Sequence, residues 1–147
     1  MAPLVANETS DVQARLSPDN RWIAYASNET GRWEVFVEPF PAPGPRWQVS
    51  ADGGSQPVWR RDGSELFFLS PDRRLMAVGV TTSGDTFVKS PPQALFETRM
   101  RPTYAPYPVN YDVTADGQRF LIGSVRPDTG PTISILVNWP ALPNGQR

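Results

Sequence analysis

Apolar residues in this chain come in short runs, each closed off by Pro, Gly, Asp or Ser. Runs of four to eight residues between turn formers read as strands. No window carries the three-and-four spacing of an amphipathic helix. The pattern predicts strands over residues 12–16, 22–26, 33–37 and 46–49, then 56–59, 65–70, 75–80 and 93–97. A last group falls at 110–114, 119–124 and 132–138, and a short strand is expected at 3–6. The turns between them are SPDN, RRDG, SPDR and TTSGDT, whose residues pre-set or tolerate tight-turn dihedrals. The fold class is all-β.

One stretch returns. LSPDNRWIAYAS (16–27) is echoed by VWRRDGSELFFLS (58–70) and DVTADGQRFLIGS (112–124). In each, an Asp opens a tight turn, an apolar run follows, and a Ser stands eight residues after the Asp: Asp19 and Ser27, Asp62 and Ser70, Asp116 and Ser124. The Asp residues are 43 and 54 apart, in the range of propeller-blade repeats. The segments SPDNRWIAYASNETGRWEVFVEPFP, WRRDGSELFF and YDVTADGQRFLI resemble the WD-repeat-like blades of TolB-type β-propellers. The resemblance is closest to the carboxy-terminal blades of bacterial sensor-, kinase- and peptidase-associated propellers. Asn20 departs from the Gly63 and Gly117 of the other copies, and Asn also tolerates the left-handed conformation. Four-stranded blades are expected at 12–50 and 51–98, with an incomplete one at 99–139. Residues 1–11 form an amino-terminal segment and 140–147 a tail.

Closed propellers have about four to eight blades, and the resemblance implies six. Three blades in a row leave an apolar sheet face uncovered at each end, and such faces mark assembly surfaces. A homodimer closing a six-bladed ring is expected, with a strand near Leu4 and Val5 completing the partner's third blade. The other expectation is that the chain is the end of a longer propeller. Trp22, Trp33, Phe36, Phe67, Phe68, Phe120 and Trp139 are expected between blades.

Composition narrows the chemistry. The chain has neither Cys nor His, which removes disulfides, thiolate and His metal sites, and Ser-His-Asp or Cys-His nucleophiles within one chain. Net charge is −1 with both signs interleaved, so no basic stripe for nucleic acid is present. No apolar run has the length of a membrane span. The start lacks the features of a signal peptide. A cytoplasmic location is expected by default, or a periplasmic one if a leader precedes this sequence.

Candidate residues fall into three sets. Asp19, Asp62 and Asp116 are expected to cap their own turns, spread around the ring rather than converging on a ligand. Alternation on the innermost strands points Gln56, Asn110 and Asp112, with Gln13, toward a central channel. Asp112 and Asn110 are the candidate ligands there for calcium, which takes six to eight oxygens; a hydrated channel with no cofactor is the plainer expectation. Arg60, Arg61, Arg99, Arg101, Tyr104 and Tyr107 are expected at one mouth of the ring, since Arg and Tyr are enriched at binding hot spots. Two functions follow. One is a non-catalytic interaction or ligand-binding propeller with a protein or small-molecule partner. The other is a calcium-dependent, lactonase-like hydrolase in which the cation polarises a carbonyl.

Overall fold

The computed structural model describes residues 9–104, 108–126 and 130–136. The expected strand at 3–6, the ring-closing Leu4 and Val5, Tyr107 and Trp139 lie outside the described residues. Among those described, every regular element is a strand. They build three antiparallel sheets, and the propeller expectation holds.

Blade 1 is a four-strand meander of β1 (Asp11–Leu16), β2 (Trp22–Ser27), β3 (Glu34–Pro39) and β4 (Trp47–Gln48). Blade 2 contains β5 (Ser55–Trp59), β6 (Glu65–Leu69) and the ten-residue β7 (Arg74–Ser83). Its outer edge is split: β8 (Thr86–Lys89) pairs with the far half of β7 and β9 (Gln93–Glu97) with the near half. Blade 3 contains β10 (Tyr111–Val113), β11 (Phe120–Arg126) and β12 (Gly130–Leu136).

The expected turn at TTSGDT is the tip of a hairpin. Ser83 pairs with Thr86 around a two-residue Gly84–Asp85 loop, with Gly84 at φ +58°. Gly–Asp between two β-prone runs is itself a hairpin signal. The hairpin reaches back to blade 1, where Phe87 packs on Trp22 and Trp47 with ring centroids 5.2 and 5.3 Å away. Arg21 Nη2 donates to the Gly84 carbonyl at 2.8 Å and holds the tip down.

Side chains alternate across each strand, and in β6 of the middle blade both faces are apolar because both are covered. Leu66 and Phe68 join Trp22, Ala24, Val35 and Val37 in the core between blades 1 and 2. Phe67 and Leu69 turn the other way and join Tyr111, Phe120 and Ile122 between blades 2 and 3. Burial on this scale gives about 1.5–3 kcal/mol for each large apolar side chain. Trp33 departs from expectation: it is half-buried and lies outside both cores.

The repeated acids cap their turns. Asp19 accepts from Ser17 Oγ at 2.5 Å and Arg21 N at 3.1 Å. Asp62 accepts from Ser64 Oγ at 2.6 Å and Ser64 N at 3.0 Å, and Asp116 from Thr114 Oγ1 at 2.5 Å and Gln118 N at 3.0 Å. Asp72 repeats the device with the Ser70 hydroxyl. These hydroxyl bonds are the first cause holding all four carboxyls below their ordinary range. Asn20, Gly63 and Gly117 take the left-handed corner of their turns.

A buried carboxylate fixes the link between blades 1 and 2. Glu34 accepts from the Ser50 hydroxyl, from Gly53 N at 3.0 Å and from Arg32 Nε. Gly53 has φ +96°, and an added Cβ there would lie 2.5 Å from Pro71 Cγ.

Candidate functional site

The inner strands β1 and β5 each carry an irregularity at the same repeat position. Gln13 and Gln56 have φ of +59° and +57°, where the register of each strand on its neighbour shifts. A bulge of this kind re-aims the side chain along the strand edge. The Gln13 carboxamide oxygen accepts the backbone N–H of Gln56 at 2.8 Å. The Gln56 carboxamide oxygen accepts the backbone N–H of Asn110 at 2.7 Å. Each bulged glutamine thus holds the inner strand of the next blade. Tyr111 adds a hydroxyl bond to the Gln56 carbonyl at 2.8 Å, and burial pushes its phenol well up.

These bonds change the roles assigned to the channel residues. Gln56 is fully buried, and its amide also reaches the Arg101 carbonyl at 3.4 Å; it holds the fold together rather than presenting a ligand atom. Asn110 gives its N–H to Gln56 and its carbonyl to Gly123 N. Asp112 is exposed, paired in register with Leu121, and its carboxylate accepts the N–H of Val113 at 2.8 Å. Tyr111 points into the blade 2 core, so alternation sends Asp112 to the opposite, outer face of blade 3. Among the described residues no three His, Cys, Asp or Glu side chains gather as a metal site. Two oxygen-bearing side chains, Asp112 and Asn110, fall short of the six to eight donors calcium takes.

Among the described residues expected at one mouth, Arg60 and Arg61 stand apart from Arg101 and Tyr104. Arg60 and Arg61 follow the carboxyl end of β5, where Arg60 Nη1 binds Glu65 at 3.0 Å and its chain packs beside Gly117. Arg101 and Tyr104 lie toward the Gln56 end. A strand rises about 3.3 Å per residue, which puts the two groups roughly 13 Å apart along β5.

At the Gln56 end the segment entering blade 3 crosses back to blade 1. Gln13 Nε2 donates to the Thr103 carbonyl at 3.1 Å. Tyr104 stacks on Trp33 with centroids 5.4 Å apart and planes 15° from parallel. Both rings are half-buried, burial raises the Tyr104 phenol, and Arg99 and Arg101 are exposed nearby in sequence. The sequence singled out Tyr104 but assigned Trp33 to packing, because a stack between blade 1 and the third blade's entry leaves no local pattern.

The turn end holds a second cleft. Asp19 and Asp62, from adjacent blades, both line a cavity of about 260 Å³ with Ser17, Trp22, Trp59 and Thr82. Both carboxylates are committed to their own turns.

No protein-family model matches the chain, and no curated protein matches it. Solved structures do. An oligogalacturonate lyase from Vibrio parahaemolyticus aligns over 88% of this chain and 37% of its own, with 13% identity and a TM-score of 0.57. A manganese-bound oligogalacturonate lyase aligns over 79% and 29%, at 15% identity and TM-score 0.54. A candidate 6-phosphogluconolactonase from Bacteroides uniformis aligns over 90% and 42%, at 15% identity and TM-score 0.52. At these identities the likeness shows the fold alone, a β-propeller. The chain spans less than half the length of each of these structures.

Proposed function

We propose that this chain is a β-propeller binding module without chemistry of its own, whose ligand is an anionic molecule held at the mouth formed by Trp33, Tyr104 and Arg101. The Trp33–Tyr104 stack carries this reading. It joins blade 1 to the entry of blade 3 and leaves two aromatic rings half-open, with the exposed Arg99 and Arg101 a few residues before Tyr104 in sequence. Aromatic and Arg side chains are the groups that anchor ligands and partners. The test is tryptophan fluorescence titrated separately with oligogalacturonate and with a polyglutamate peptide. Saturable quenching by either, weakened at least tenfold in Tyr104→Ala and Arg101→Ala, supports the reading. Binding that both variants leave unchanged, or no binding of either probe, overturns it.

A second reading is a cation-dependent hydrolase or lyase, favoured by the manganese-bound lyase and the lactonase among the fold's neighbours. The donors that Asp112 and Asn110 supply do not make a cation site by themselves, and no reaction step is assigned to them. Calcium or manganese raising the melting temperature, with Asp112→Ala abolishing the rise, is the outcome that supports this reading. An unchanged melting temperature in EDTA and in either metal removes it.

A further inference from the structure

The two inter-blade interfaces are copies of one another, and the repeat spacing identifies equivalent positions. Ala24, Phe67 and Leu121 occupy one such position, on the face each blade turns toward the next. Ala24 and Phe67 are 0% exposed, and Leu121 is 46% exposed. Leu16, Trp59 and Val113 occupy another, on the face turned toward the preceding blade. Trp59 is 8% exposed and Leu16 is 43% exposed. Thus blade 3 carries an uncovered next-blade face, while on the preceding-blade face of blade 1 Leu16 and the half-buried Ile23 stay open beside Tyr25 and Phe36, which are buried under Arg46. Among the described residues, two of the four exposed large apolar side chains, Leu16 and Leu121, lie at these two ends.

We infer that a second copy of this chain covers both, seated head to tail so that blade 3 of each copy packs on blade 1 of the other. Continuity with the interfaces already formed within the chain sets the geometry. Phe67 of blade 2 meets Phe120 of blade 3 at 5.2 Å, edge to face. One blade further on, the position of Phe67 is Leu121. The position of Phe120, taken back to blade 1, is Ile23. Leu121 of one copy therefore meets Ile23 of the other, with Leu16 beside it on the same face. A head-to-tail contact that closes after two copies gives a cyclic dimer. Three blades from each then enclose the channel that one chain only partly surrounds. Each copy buries Leu121 once and Leu16 once. The same contact made with the blades of a different polypeptide would leave this chain monomeric when pure.

The absence of Cys makes the contact directly testable. Leu121→Cys and Ile23→Cys are made separately in the full chain, mixed, and oxidised. A disulfide-linked Leu121→Cys/Ile23→Cys dimer is expected, with light scattering giving twice the 16.3 kDa chain mass. Leu121→Glu, an exposed position that the single chain tolerates, is expected to weaken dimerisation at least tenfold while leaving the circular dichroism spectrum unchanged. A monomer at every concentration tried overturns the inference. So does crosslinking of Leu121→Cys only to itself, because that places the two third blades face to face. Neither result bears on ligand binding at the Trp33–Tyr104 mouth, so the two proposals fail separately.

Discussion

The carboxamide oxygen of Gln13 receives the backbone N–H of Gln56, a residue 43 positions later at the equivalent place in the next blade. Gln56 repeats the bond onto Asn110, 54 positions on. Sheets packed face to face through apolar side chains can slide over one another at little cost. A directional bond from each inner strand to the next fixes how far along its axis each blade sits. Asn110 receives this bond but has no positive φ of its own, so the chain of clasps runs from blade 1 to blade 3 and changes form there.

Gln56→Ala removes the acceptor for the Asn110 N–H inside a fully buried site. Leaving such a group unpaired costs about 1–3 kcal/mol, and urea unfolding is expected to show a loss of about 2 kcal/mol. Gln56→Gly loses the same bond but relieves the left-handed backbone, which costs a residue with a Cβ about 1–2 kcal/mol. The glycine variant is therefore expected to be the more stable of the two. The opposite order would show that the side-chain stem, not the clasp, carries the stability.

Phe87 is the anchor of the β7–β8 hairpin on blade 1, set between Trp22 and Trp47. Phe87→Ala is expected to cost about 3 kcal/mol, read as a lowered midpoint in chemical denaturation. Val88, its neighbour on the exposed side of the same strand, supplies the control: Val88→Ala should change stability by less than about 0.5 kcal/mol. Equal losses at both positions would mean that the hairpin gains its stability from strand pairing alone.

Two kinds of carboxylate give opposite pH dependences. Burial first, then the nearby Asp11 and Glu29, raise Glu38, while Arg46 opposes them. A raised acid favours the fold when protonated, so its contribution is present below the ordinary carboxylate range and lost as pH rises through its folded-state value. Glu38→Gln should therefore raise the melting temperature at pH 7, with the gain vanishing below about pH 4. Asp19 is lowered, first by the Ser17 hydroxyl. Its contribution is present at neutral pH and lost as pH falls through its folded-state value, so Asp19→Ala should destabilise at pH 7 and progressively less below about pH 4. A Glu38→Gln variant less stable than the parent at pH 7 would contradict the burial argument.

Much of the fold was readable because its signals are local. Asp19, Asp62 and Asp116 announce turns through bonds to residues two positions away, and the apolar runs between them mark strands covered on both faces. The Gly84–Asp85 hairpin was legible in principle from the same turn chemistry. What the pattern does not give is the strand after that turn, because Ser90, Pro91 and Pro92 break the outer edge of blade 2 into two short strands.

What the sequence by itself determined is the all-β class, the repeat and the turn caps, since each rests on interactions within a few residues or on strand periodicity. Only the tertiary structure decided what the polar inner-strand residues do. Gln56 reads as a channel group when taken alone. It becomes a buried clasp because its partners, Gln13, Arg101 and Asn110, are brought to it from 43 to 54 residues away. In the same way Arg60 and Arg101 read as one cluster until β5 separates them, and Trp33 finds Tyr104 only once three blades are stacked. Directional contacts between distant segments depend on how the sheets pack, and no spacing within one strand encodes that.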